Sequence, residues 1–221
     1  MTAILFDTET TGLTEPEIIE AAWIQLSDPI CIDEQNYFEQ RYKPSKPIEL
    51  GALATHHIYD EELQDCPPSS SFSLPEGTEY IIGHNVDYDW GAIGKPDVKR
   101  ICTKALSCSL WPEADSHSQS AMIYLLERVG AREMLKNAHS ALTDIRNCWY
   151  LLHHITLKLC DSITDWESLW LASEAARIPK VMPFGKHRGI KITDLPSDYK
   201  QWMLRQPDVD PYLVKALRGE S

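Results

Sequence analysis

The sequence predicts an α/β protein, a mixed sheet flanked by helices, with a small α+β module at its C-terminal end. Three short apolar runs joined by brief turns open the chain and read as an antiparallel meander. From about residue 80 onward, short apolar runs alternate with segments of helical period, the pattern of a sheet covered by helices. Near residue 177 the charge balance changes sign: residues 177–218 hold nine Lys/Arg against four Asp/Glu, whereas residues 1–176 hold twelve against 28. A length of 221 residues suits one ordinary domain carrying a small appendage. The expected division is 1–162 for the main domain, 163–179 for a helical linker and 180–221 for the basic module.

The first strand is expected over Ala3 to Phe6, ending at Asp7, and the second over Glu17 to Leu26, with the Gly/Pro turn TGLTEP between them. A third strand is expected around Tyr37 to Tyr42, before Pro44 and Pro47. A helical patch at Leu50 to Ala54 precedes CPPSSSFSLPEG, whose composition reads as a mobile surface loop. A strand at Tyr80 to Ile82, a short helix at Asp87 to Ile93 with Asp87 in the N-cap role, a strand at Arg100 to Thr103 and a helix at Thr103 to Leu110 follow. A helix over Ser118 to Val129 has Ser118 or Ser120 as its cap and Gly130 just beyond its end. The clearest helix runs from about Ser140 to Leu159, where Ala141, Leu142, Ile145, Cys148, Trp149, Leu152, Ile155 and Leu159 recur at three- and four-residue spacing. An amphipathic helix at Ile163 to Ala176 reads as the hinge between two units. Beyond it VMPFGKHRG reads as a short strand with a basic turn, followed by helices at Thr193 to Arg205 and Pro211 to Arg218.

A hydrophobic content of 43% with 24% charged residues excludes a largely disordered or fibrous chain. MTAILFDTET has no basic leader and meets a carboxylate at Asp7, so it cannot serve as a signal peptide, and no apolar stretch approaches the roughly 20 residues that span a bilayer. A cytoplasmic protein with no membrane partner is expected. Cys31, Cys66, Cys102, Cys108, Cys148 and Cys160 form no Cys-x-x-Cys pair, which argues against zinc and redox motifs and leaves them as small core residues. A net charge of −12 argues against coating by nucleic acid through bulk electrostatics, though not against a local contact.

Three segments carry candidate chemistry. Asp7 and Glu9 stand two apart, so strand geometry would turn both carboxylates to one cleft, although an acid pair at a strand end is commonly a solvated turn. GHNVDYDWGAI offers Asp87 and Asp89 after an apolar strand, with His84 and Asn85 as polar neighbours; alone it reads equally well as a capped helix start. HSALTDIRNCWYLL puts Asp144 early in the strongest helix and His139 five residues before it. At 100° per residue those two cannot share a helix face, so His139 belongs on the entering loop.

The order of these segments is specific. DTETTGL, HNVDYD and HSALTD resemble the three motifs of the DEDDh-type 3′→5′ exonucleases, with His139 and Asp144 at the HxxxxD spacing of the histidine subgroup; the resemblance covers roughly residues 1–160. It implies a ribonuclease-H-like fold with a mixed five-stranded sheet and flanking helices. It also implies two divalent ions held by Asp7, Glu9 and Asp144, with Asp89 completing the site directly or through water, and His139 as general base. Four converging carboxylates repel one another and a phosphodiester, so cations must neutralise them, and hard oxygen ligands select Mg²⁺, with Mn²⁺ able to substitute. Two ions about 3.5–4 Å apart would activate water and stabilise the leaving 3′ oxygen, and a histidine can take the water's proton.

Thr11, Gly12 and Leu13 could pack against a terminal nucleotide or form an ordinary turn. His56, in a segment similar to the family's weaker substrate-contacting element, could reach a phosphate or be an exposed structural histidine. The tail FGKHRGIKITDLPSDYKQWML resembles a small module found at the end of one member of the family and in a few uncharacterised bacterial proteins. There Lys186, His187, Arg188 and Lys191 would grip a substrate backbone or form a solvated basic face, with Tyr199 and Trp202 as core rather than stacking platforms. Two departures stand out: the segment between the second and third strands is short, and Tyr88 replaces the phenylalanine common in the second motif, a change that keeps an aromatic ring. The implied function is removal of 5′-mononucleotides from a nucleic-acid 3′ end, DNA favoured over RNA, in DNA repair or degradation. The alternatives are an RNA-trimming relative and a polymerase-associated proofreading or scaffold subunit.

Overall fold

The computed structural model describes residues 2–29, 36–136 and 138–220. Its sheet has five strands in the order β3-β2-β1-β4-β5. Strand β1 (Thr2–Thr10) pairs antiparallel with β2 (Ile18–Leu26), which pairs antiparallel with β3 (Asn36–Arg41). On its other side β1 pairs parallel with β4 (Thr78–Gly83), and β4 parallel with β5 (Lys99–Cys102). Short connections permit the antiparallel half, while each parallel pairing needs a crossover. The first crossover passes through α1 (Leu50–His56), the second through α2 (Asp87–Ala92). Ala3, Ile4, Leu5 and Phe6 are all buried, as expected of a central strand covered on both faces.

Strand β1 extends four residues beyond the expected end. Its pairing with β2 continues to Thr10↔Ile18, past a register shift at Glu9/Thr10, so Asp7 and Glu9 lie inside the strand. Backbone pairing, which apolarity does not report, sets the boundary.

Helices α3 (Thr103–Leu110) and α4 (Gln119–Leu126) pack against α6 (Ala141–Lys158), which lies on β1 and β2. Ser118 caps α4 by accepting from the Ala121 N–H at 3.3 Å. The helix stops at Leu126 rather than Val129, and Gly130 instead starts α5 (Ala131–Met134), its N–H held by Glu127 Oε1 at 3.1 Å. Asp87 is not a cap: it is the first residue of α2, and its carboxylate pairs with Arg100. The Pro/Ser-rich segment is not loose. Ser69 N–H bonds the Lys43 carbonyl at 2.8 Å, and Phe72 packs 5.8 Å from the rings of both Phe6 and Tyr42, because this aromatic side chain completes the core over β1. Of the cysteines, Cys102 and Cys148 are core, Cys66 is partly buried, Cys108 and Cys160 are exposed near helix ends, and Cys31 lies outside the described residues.

Helix α7 (Trp166–Arg177) starts later than expected, because Asp165 Oδ1 accepts the Ser168 N–H at 2.8 Å. The chain divides into two compact units after Trp170, inside this helix. The second unit has its own core of Met182, Ile192, Leu195, Tyr199, Met203, Leu213 and Leu217. Its expected strand is reduced to one bridge, Val181↔Lys191, across a 3₁₀ turn at Gly185–His187. Pro196 confines α8 to Ser197–Met203, and α9 spans Pro211–Arg218 with Asp210 as its cap. No helix among the described residues is long and apolar enough to cross a membrane.

One polar tie spans the sheet. Glu20, 3% exposed on β2, receives Arg41 Nε of β3 at 3.0 Å and, through its second oxygen, the N–H of Ala141 at the start of α6 at 3.0 Å. Removing one partner of a fully buried pair costs about 3–5 kcal/mol; the half-exposed guanidinium lowers this. Arg41→Ala is therefore expected to destabilise the protein by about 2 kcal/mol, read as a lower urea midpoint with unchanged m-value.

Candidate active site

Strand alternation places Asp7 and Glu9 on one face of β1 and Thr8 on the other. The pairing of β1 with β4 ends at Leu5↔Ile82, leaving the later part of β1 to meet α2. There Asp89, in the first turn of α2, accepts from the Thr8 N–H at 3.0 Å and the Thr8 hydroxyl at 2.7 Å through Oδ1. Asp144 reaches the same place from the first turn of α6. Asp7, Glu9 and Asp144 each offer a carboxylate oxygen, all within 4.8 Å of one another. Asp89 stands just outside that trio, with one oxygen engaged by Thr8.

Burial, then repulsion from its neighbours Asp89, Asp144 and Glu9, pushes the Asp7 carboxyl well above the usual range. Burial and the charges of Asp144, Glu20 and Asp89 raise Glu9 to about 9. Burial raises Asp89 to about 7 against the opposing pull of its Thr8 hydrogen bonds. Asp144 is raised by burial and partly restrained by the nearby His139 charge and backbone N–H. An all-oxygen, anionic donor set that resists ionisation by itself fits a hard divalent cation.

The loop into α6 is built to hold Asp144. Ser140 caps the helix, accepting from the Thr143 N–H at 3.4 Å, and His139 adopts a left-handed backbone with φ 70°. That turn sends the His139 N–H to Asp144 Oδ2 at 3.1 Å, while Gln119 donates to Oδ1 at 3.1 Å. His139 is exposed on this loop beside Asp144. His84 is a structural group instead: its ring bridges Thr103 Oγ1 at 3.0 Å and the His117 carbonyl at 2.8 Å, and burial lowers it to about 4.

Next to Glu9 lies a cavity of about 390 Å³, lined by Gly12, Leu13, Glu49, Ala52, His56 and Tyr88 among others. Leu13 is 82% exposed at its edge, whereas Thr11 is buried and spends its hydroxyl on the Glu17 N–H at 3.1 Å. Thr11 is thus a turn residue, while Gly12 and Leu13 face the cavity. At Gly12, φ is 153°, a backbone that favours glycine, and a Cβ would lie 2.2 Å from the end of the exposed Glu49 side chain, which would have to swing away. His56 is buried rather than exposed: Nδ1 accepts the Ile58 N–H at 3.0 Å, and burial lowers its pKa. The Tyr88 substitution is more than a conserved ring, since its hydroxyl donates to the Gly12 carbonyl at 2.9 Å and bonds Thr10 Oγ1. Lys186 and Arg188 are exposed in the second unit.

Sequence reasoning missed Thr8, Glu20, Gln119 and Glu49. A lone carboxylate inside the apolar run of β2 was the available signal for Glu20; Gln119 and Glu49 left none.

A family model described as "Putative quorum-sensing-regulated virulence factor" matches residues 175–208. Over 216 residues the chain is 27% identical to exodeoxyribonuclease 10 of Escherichia coli K12, covering 92% of this chain and 91% of the relative. A structure of exonuclease X in complex with 5′ overhanging duplex DNA superposes with TM-score 0.63 at 25% identity, covering 77% of this chain and 99% of that one. The nuclease domain of 3′hExo, a DEDDh family member bound to rAMP, shares the fold at TM-score 0.51 and 12% identity, over 72% of this chain and 94% of that one. In sequence over nearly its whole length, and in fold, the chain resembles the DEDDh-type 3′→5′ exonucleases of the ribonuclease-H-like superfamily, exodeoxyribonuclease X among them.

Proposed function

We propose that this chain is a metal-dependent 3′→5′ exodeoxyribonuclease that releases 5′-mononucleotides, acting in the cytoplasm in DNA repair or degradation. The observation that carries this reading is the convergence of Asp7, Glu9 and Asp144 within 4.8 Å beside a cavity of about 390 Å³. The likeness to exodeoxyribonuclease 10 and to a DNA-bound exonuclease X favours DNA. In this reading residues 1–162 form the nuclease domain, 163–179 a helical linker and 180–221 a basic module whose Lys186 and Arg188 contact the substrate backbone.

Asp7, Glu9 and Asp144 would hold two Mg²⁺ ions, or Mn²⁺ in their place, with Asp89 completing the set. When bound, these cations supply charge neutralisation at the scissile phosphate and at the leaving 3′ oxygen. His139 accepts the proton of the attacking water, and its backbone bond to Asp144 fixes the loop from which the imidazole works. Gly12, Leu13 and Tyr88 form the wall that receives the terminal nucleotide, with His56 as its buried floor. Thr11 shapes the turn that presents them.

With Mg²⁺ and a single-stranded DNA oligonucleotide, the wild-type chain is expected to shorten the substrate stepwise from its 3′ end, and His139→Ala to slow this by about 10²–10⁴-fold. Asp7→Ala should abolish it. A wild type inert on matched DNA and RNA oligonucleotides alike would sink the reading, and faster loss of the RNA would move it to an exoribonuclease.

Gly12→Ala should raise KM more than it lowers kcat, because the added methyl group acts on Glu49, which lines the cavity, and not on the cluster of Asp7, Glu9 and Asp144. An unchanged KM would remove the cavity from substrate binding.

The raised carboxyls give a pH-dependent stability of defined sign. Groups whose folded pKa lies above the unfolded value bind more protons when folded, so stability is present at low pH and declines as pH rises from about 4.5 to about 9. Thermal melts in EDTA should show this fall. Added Mn²⁺ should raise Tm more at about pH 8.5 than at about pH 5.5, since protons compete with the cation; equal shifts would mean that these carboxylates are not the ligands.

A further inference from the structure

In the second unit, taken by itself, two large aromatic side chains stay outside a core that is otherwise closed. Phe184 is 49% exposed and Trp202 52% exposed, while Tyr199, beside Trp202, is only 9% exposed. Trp202 and Tyr199 are not both core, contrary to expectation: Tyr199 is inserted, and Trp202 lies against it at 5.5 Å with a 32° tilt. Together with Met203, Lys186 and Asp198 they line an open groove of about 610 Å³.

The basic loop beside this groove has a fixed shape. Gly185 and Gly189 both take left-handed backbone, with φ of 71° and 83°. The loop closes through Arg188 N–H on the Gly185 carbonyl at 3.1 Å and Gly189 N–H on the Met182 carbonyl at 2.8 Å. It sets the His187 ring 4.4 Å from Tyr199 and the Lys186 ammonium 5.4 Å from the same ring. Among the described residues no carboxylate lies within ion-pair distance of Lys186, Arg188 or Lys191, so their charge is available to a ligand. Residues 171–221 hold nine Lys/Arg against six Asp/Glu in a chain of net charge −12.

Exposed flat rings beside uncompensated cations suit a polyanion that carries aromatic faces. We infer that the groove of Phe184, Tyr199 and Trp202, flanked by Lys186 and Arg188, is a binding site for single-stranded DNA, in which bases stack on Trp202 and Phe184 and phosphates meet the basic loop. This rests on the nuclease reading for the identity of the polymer, and it extends the contact from backbone phosphates to bases. An apolar protein partner would explain the rings but not the cations that fringe them.

The test uses the full chain in EDTA, with fluorescence anisotropy of labelled dT20 and of an abasic strand of the same length. Trp202→Leu and Phe184→Leu keep apolar volume and remove the ring; each should weaken dT20 binding about tenfold and leave the abasic strand nearly unaffected. Trp202→Phe should retain most of the affinity, and Lys186→Ala with Arg188→Ala should weaken both ligands. If both leucine variants bind dT20 as the wild type does, the site is overturned and the groove belongs to a protein partner. The wild type's hydrolysis of thymidine 5′-p-nitrophenyl phosphate with Mn²⁺ reads the nuclease assignment separately. Absent hydrolysis with ring-dependent dT20 binding would remove that assignment and support the groove.

Discussion

The organisation of the main unit depends on bringing negative charge together in a place where water does not screen it. Asp7, Glu9, Asp89 and Asp144 come from β1, α2 and α6, and among the described residues no lysine or arginine pairs with them; the His139 charge offsets Asp144 in part. The one neighbouring carboxylate so paired is Glu20, and it uses its Arg41 partner to tie β2 to β3 and its remaining oxygen to seat α6. The fold thus tolerates repulsion at the centre by placing satisfied polar groups around it. Thr8 does this for Asp89, Gln119 and the His139 backbone do it for Asp144, and each of these bonds leaves carboxylate capacity over. Such a centre is unfavourable as a folding element, which is the usual signature of a site kept for chemistry.

Much of this was legible in the sequence, and for a physical reason. Asp7 and Asp89 follow closely on apolar strands and Asp144 stands early in the most strongly periodic helix, so hydrophobic patterning placed their backbones at the edge of the core even before any contact was known. The helix over 140–159 was legible for the same reason, its buried face recurring at helical spacing. Where local chemistry competes, patterning misleads. Gly130 reads as the end of α4 but starts α5 because Glu127 claims its N–H. The basic tail reads as a strand, although its two glycines wind it into a 3₁₀ turn. Long-range hydrogen bonds such as Thr8 to Asp89, 81 residues apart, leave no local trace at all.

The cavity beside Glu9 shows how a small departure from a family pattern acquires meaning only in three dimensions. As a letter, Tyr88 differs from phenylalanine by one oxygen. In the fold that oxygen joins Thr10 and the Gly12 carbonyl, so it stiffens the turn that carries Leu13. Gly12 is then flanked by that bond and by the end of the Glu49 side chain. The turn is therefore shaped from both sides before any substrate arrives, which reduces the ordering that binding must impose.

Phe72 has a consequence of another kind. Its segment, rich in proline and serine, has the composition of a linker whose length could drift freely among relatives, yet its ring is lodged between Phe6, Trp23 and Tyr42. A chain anchored in the middle can absorb insertions only on either side of the anchor. Because Leu74 packs against the same core, length variation should concentrate at Glu76 and Gly77, where β4 has not yet begun, and the register of β4 against β1 would be shielded from it.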